Sequence, residues 1–173
     1  MSKSICDGKY FISSLHNDSI GLPIQLPDLP ETIEANGLTL HRKATFHVTL
    51  FPVGKLIEKH NIKIPGFRGR AIDDFCEFVE TNPISIINYK EEFRFVAENE
   101  RRTVVAMCDV SNLNKFYDLV NDKYGLHLGH PPTHVTLYSL QPDAGIYLID
   151  QKEIEKMTKL IENPGIVVEK LRN

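Results

Sequence analysis

The chain has 173 residues, 42% hydrophobic and 25% charged, with a formal net charge of −3, the balance of an ordinary soluble globular protein and the length of one domain. With a pI near 6.2 it is no coat for long nucleic acid, which needs a basic surface, although a small phosphate ligand or a single RNA end stays compatible. No hydrophobic run approaches the roughly 18–20 residues that cross a bilayer, and the start, Met1-Ser-Lys-Ser-Ile-Cys-Asp-Gly-Lys9, lacks the apolar core of a signal peptide, so the cytoplasm is the expected location.

Residues 10–15 read as a first strand. Residues 17–36, with Pro23, Pro27 and Pro30, read as an extended surface connection with little regular structure. Residues 38–53 hold a strand closed by Pro52 and Gly54, and residues 56–64 are ambiguous. From 70 to 80, Ile72, Phe75, Cys76 and Val79 recur at i, i+3, i+4 and i+7, predicting an amphipathic helix that Thr81-Asn82-Pro83 ends. Residues 84–89 predict a strand, and 93–97 with 103–110 a hairpin around residues 98–102. A second amphipathic helix is expected over 112–124, with Gly125 at its C-cap. Residues 146–149 form a short strand or an extended entry, Ile154, Met157, Leu160 and Ile161 mark a third helix, and 166–171 a last strand. Cys6, Cys76 and Cys108 are odd in number, scattered and without ligand spacing, so they read as reduced thiols.

Within this order one tetrapeptide occurs twice: His47-Val48-Thr49-Leu50 and His134-Val135-Thr136-Leu137. A chain of this composition would carry about 0.1 copies of the pattern His, hydrophobic, Ser/Thr, hydrophobic by chance, so the repeat calls for an explanation. In a strand, successive side chains alternate between faces. His47 and Thr49 then share one face, as do His134 and Thr136, while the aliphatic residues anchor the strand from behind. Two such pairs aimed at one small anion offer two imidazoles and two hydroxyls. Histidine, with an unperturbed pKa near 6.5, serves as acid or base near neutrality, and threonine hydroxyls can meet non-bridging phosphate oxygens. The copies lie about half the chain apart, which suggests two similar lobes related by a pseudo-twofold axis.

With both motifs in place, the chain resembles the two-histidine (2H) phosphoesterase superfamily, whose signature is two copies of His, hydrophobic, Thr/Ser, hydrophobic. The match rests on those eight residues, on Phe46, Phe51 and Gly54 around the first copy, and on Pro131, Pro132 and Tyr138 around the second. The resemblance implies an α+β fold over residues 1–173, bilobal, with antiparallel sheets flanking a central groove and helices outside. It implies a phosphodiesterase that opens a cyclic phosphate on a nucleotide or RNA end without metal or other cofactor, acting as a monomer and away from membranes. His47 would be the general acid, His134 the base on water, and Thr49 and Thr136 the donors to phosphate oxygens. Tyr138 and Phe51, each two residues past a threonine, are candidates to stack on a base. Arg42, Lys43, Arg101 and Arg102 are candidates for phosphate contacts, with solvated surface charge the simpler reading. His127, His130 and His134 are close in sequence, yet their spacing is not that of a zinc site. The alternative to an enzyme is a non-catalytic module that binds a nucleotide in the same groove.

Overall fold

The computed structural model describes residues 2–13, 18–26, 29–141 and 145–166. The chain divides into two compact units, each assembled from three stretches of sequence: Met1–Pro23, Thr49–Ser85 and Val110–Pro131 in one, Ile24–Val48, Ile86–Asp109 and Pro132–Asn173 in the other.

In the first unit, β1 (Ser2–Ile5), a 3-10 turn (Cys6–Gly8), β2 (Tyr10–Ser13) and β3 (Ser19–Ile24) form an antiparallel meander. Helices α1 (Val53–His60), α2 (Phe67–Thr81) and α3 (Leu113–Tyr124) accompany it. Gly125 takes a φ of 63° at the end of α3 and its N–H reaches the Asn121 carbonyl, as its position in the sequence predicts. The core is aromatic. Phe116 meets Phe51 and Phe75 edge-on with ring centres 5.2 and 5.1 Å apart, and Phe51 also meets Tyr117 at 5.2 Å. Such pairs exploit the positive ring edge against the negative face. Tyr10 packs edge-on against Phe75 and donates its hydroxyl to the Ile84 carbonyl at 3.1 Å. Asp74, buried on α2, accepts from Lys123 Nζ at 2.7 Å and Tyr124 Oη at 2.6 Å on α3, so its charge is paired and hydrogen-bonded.

The second unit begins with a hairpin. Asn36 and Gly37, at φ 51° and 75°, turn β4 (Thr32–Ala35) into β5 (Leu38–Arg42). Two consecutive positive φ values match the right-handed twist of the flanking strands. Next come β6 (Phe46–Pro52, its residues through Val48 in this unit), β7 (Ile86–Glu98), β8 (Arg101–Val110), β9 (His134–Ser139), α4 (Gln151–Met157) and β10 (Thr158–Ile161). The strand order is β6-β9-β8-β7-β10, and β5, carrying β4, pairs with β9 beyond β6. Val96, Val105, Met107, Ile146, Leu148 and Ile154 form the core on one face, with Met157 against it. Among the described residues the chain is thus α+β, with four α-helices and a mostly antiparallel, open sheet.

Several expectations change. The stretch read as an irregular connection, 17–36, holds β3 and β4, because Asn36-Gly37 is a hairpin signal that three prolines obscured. The ambiguous 56–64 is largely α1. Residues 86–98 are one continuous strand rather than two. The third helix stops at Met157, and Thr158–Ile161 instead pair antiparallel with Phe93–Val96 of β7. Residues 146–149 belong to no helix or strand, and of the expected last strand only Ile166 lies within the described residues. Cys6 and Cys76 are not free thiols but a disulfide with Cα atoms 5.0 Å apart. It ties the 3-10 turn to α2. No helix among the described residues is long and apolar enough to cross a membrane.

Candidate functional site

The two histidines fall in the same unit, and the division between the units runs through the first motif, between Val48 and Thr49. They stand on neighbouring antiparallel strands: Val48 of β6 pairs with Val135 of β9. Both valines are fully buried. Partners across an antiparallel pair point to the same face, so the residues flanking them point to the other. Extending the register by one residue sets His47 opposite Thr136. His134 then becomes the diagonal neighbour of His47, at a backbone separation of about 7–8 Å, a span that lets two imidazoles flank one phosphorus. Thr49 follows His47 by two residues along β6 and is half-buried, as is Thr136.

The two imidazoles sit in different surroundings. His47 is exposed, whereas His134 is 8% exposed with its Nδ1 enclosed and without a hydrogen-bond partner. Burial pushes the His134 pKa down to about 4; the backbone of Pro132 works against this, the charge of nearby His47 adds to it, and the backbone of Ile146 opposes it. His134 is therefore neutral at pH 7, as a proton acceptor must be. Its strand is pinned just upstream, where Thr133 donates its hydroxyl to the Cys108 carbonyl at 2.6 Å and the Cys108 N–H returns to the Thr133 carbonyl at 3.0 Å. Cys108 is buried and its thiol is pushed up to about 12, chiefly by that burial, so it is inert at neutral pH.

Tyr138 and Phe51 take other places. A bulge on β9 lets Val104 pair with Tyr138 while Val105 pairs with Thr136. The one-residue slip breaks the alternation at Leu137 and turns Tyr138 onto the face opposite Thr136. There it is fully buried and donates to the Pro30 carbonyl at 2.9 Å. Phe51 lies fully buried among the rings of Phe116 and Tyr117. Both aromatics serve packing in this structure, and neither offers an open face for stacking.

The bulge has a second effect that the sequence reading did not reach. It brings Ser139 onto the histidine face, where it pairs with Thr103 of β8 on one side and His41 of β5 on the other. His41 in turn pairs with Thr32 of β4. A row Thr32–His41–Ser139–Thr103 thus runs across four strands beside His47 and Thr136. Alternation within residues 38–42 would have placed His41 on the exposed side, but only the pairing reveals its neighbours.

The expected cations are occupied in part. Arg42 donates to the Leu29 carbonyl at 2.5 Å, Arg101 to the Gly145 carbonyl at 3.3 Å, and Arg102 to the Asn99 carbonyl at 2.6 Å. His130 pairs with Asp118 at 2.7 Å, and among the described residues no group of three or more His, Cys, Asp or Glu is placed to hold a metal ion. Comparison with family models, with curated proteins and with solved structures found no match.

Proposed function

We propose that the chain is a phosphoesterase that hydrolyses a cyclic phosphodiester, such as the 2′,3′-cyclic phosphate of a nucleotide or RNA end, by paired-histidine acid–base catalysis without a metal. The observation that carries this reading is the pairing of the two identical tetrapeptides through Val48 and Val135, which sets His47, Thr136 and His134 on one face. His134, neutral, takes the proton of the attacking water, and His47 gives a proton to the leaving alkoxide. Thr136 and Thr49 donate to the non-bridging oxygens, where charge builds in the transition state. On this reading the pseudo-twofold relation of the repeat is local, centred on the valine pair.

The burial of His134 favours a second reading, a nucleotide-binding module without turnover. One experiment separates them: hydrolysis of nucleoside 2′,3′-cyclic phosphates and cyclic-phosphate-ended oligonucleotides by wild type, His47→Ala and His134→Ala. General acid–base help is worth roughly 10²–10⁴-fold per group, so each variant should lose at least about a hundredfold in kcat. Near-normal turnover by either variant would overturn the mechanism. Tight nucleotide binding with no hydrolysis of any substrate would establish the module instead.

A further inference from the structure

We propose a second anion subsite on the histidine face, made by His41 and Arg101, which selects substrates carrying a phosphate beyond the one that reacts. The inference rests on the phosphoesterase reading for its enzymatic arm and on geometry for its location.

Ser139 pairs with both His41 and Thr103, so His41, Ser139 and Thr103 point to one face. Arg101 precedes Thr103 by two residues on β8 and shares that face. His41 and Arg101 therefore flank the central strand β9 from either side, two strand spacings across and two residues along, about 12 Å apart at the backbone, a gap that an imidazole and a long guanidinium side chain can close on one phosphate. Both are exposed. Arg101 spends one guanidinium N–H on the Gly145 carbonyl and keeps other donors of its fork. Beneath them Thr103 is fully buried with its Oγ1 lacking a hydrogen-bond partner, as the Tyr89 hydroxyl does elsewhere among the described residues, where such groups are normally paired. Ser139 is satisfied through the Gln141 carbonyl at 2.5 Å. The nearest carboxylate on the hairpin, Glu34, is taken up by the Thr39 hydroxyl at 2.5 Å.

Along β9 the Ser139 row lies three residues from the Thr136 row with one residue bulged, roughly 7–10 Å at about 3.3 Å per residue. That span suits the next phosphate of a nucleotide chain, or a 5′-phosphate on the same nucleoside. Either source supplies the same dianionic or diester oxygens.

The test compares three substrates: a nucleoside 2′,3′-cyclic phosphate, the same compound with a 5′-phosphate, and a dinucleotide ending in the cyclic phosphate. Wild type should prefer one of the two-phosphate compounds in kcat/KM through a lower KM, and whichever it prefers identifies the source. In His41→Ala and Arg101→Ala the ratio of the preferred compound to the one-phosphate compound should fall about tenfold each, the loss expected for a charge-assisted contact at a half-open site. An unchanged ratio, or equal loss on all three compounds, would overturn the subsite. If wild type hydrolyses none of them, the catalytic reading fails separately. The subsite is then judged by calorimetric titration with a nucleoside 3′,5′-bisphosphate: about tenfold weaker binding in both variants supports it, and equal or absent binding refutes it.

Discussion

A neutral, enclosed imidazole next to an exposed one is an asymmetric pair built from two identical tetrapeptides. The asymmetry comes from burial, which holds His134 unprotonated down to about pH 4. A base that weak gains from its substrate, because a phosphate anion on the same face favours the charged ring. The acid limb of kcat/KM, which reports the free enzyme, should therefore lie near pH 4, and the acid limb of kcat, which reports the complex, should lie higher. Parallel pH profiles with a nucleoside 2′,3′-cyclic phosphate check this, and coincident acid limbs would contradict it. The aromatic residues give a complementary expectation. Tyr138→Phe removes only the hydrogen bond to Pro30, so it should cost about 1 kcal/mol of stability and leave KM unchanged. A KM raised severalfold would return Tyr138 to the substrate. His47, Thr49, His134 and Thr136 were legible as a set because a short motif repeats. The position of Tyr138 was not, since strand alternation presumes an unbroken ladder and β9 is bulged, and that of Phe51 was not, since its packing against Phe116 and Tyr117 is decided by residues far along the chain.

Single elements turn on local chemistry of two kinds. At the β4–β5 turn, Gly37 holds a φ of 75° that a residue with a Cβ adopts at a cost of about 1–2 kcal/mol. Gly37→Val should lower stability by about that much in urea denaturation, and an unchanged midpoint would show that the turn does not set the hairpin. At the N-terminus, the Cys6–Cys76 bond closes a loop of 70 residues. Denatured without reductant, the protein should titrate one thiol, Cys108, and three after reduction. Replacing both bonded cysteines by serine should cost about 2–4 kcal/mol. Three thiols without reductant would restore the reduced state read from sequence. Disulfides persist where the surroundings are oxidising, so this bond weighs against the cytoplasmic expectation, which was drawn from hydropathy and the first residues alone. Cysteine pairing was illegible because partners far apart in sequence leave no spacing signature. The end of the third helix was illegible for a different reason: Ile154, Met157, Leu160 and Ile161 fit a helical period, yet Leu160 is 66% exposed on an edge strand.

At the scale of the whole molecule, the α+β class and the amphipathic helices α2 and α3 follow from periodicity, which depends only on near neighbours in the chain. The interleaving of three stretches into each unit does not, because it is decided by long-range pairing. One consequence of that assembly reaches global stability. His134 is carried into the interior by strand β9, and burial lowers its pKa from the ordinary 6.5 to about 4. The unfolded chain thus binds a proton between these values that the folded chain refuses. Stability contributed by the neutral ring is present above about pH 6.5, falls as pH drops through the window, and is fully lost below about pH 4. The loss from this one group is on the order of 3 kcal/mol, at 1.36 kcal/mol per pKa unit. Urea unfolding of wild type and His134→Gln at a series of pH values between 7.5 and 4 isolates it, since other titrating groups are common to both. The wild type should lose about that much more stability than the variant across the series, with the steepest divergence between pH 6 and 4.5. Parallel pH dependence in the two proteins would mean that His134 is solvated in the folded state, and the lowered pKa assigned to it, with the asymmetry of the pair, would fall.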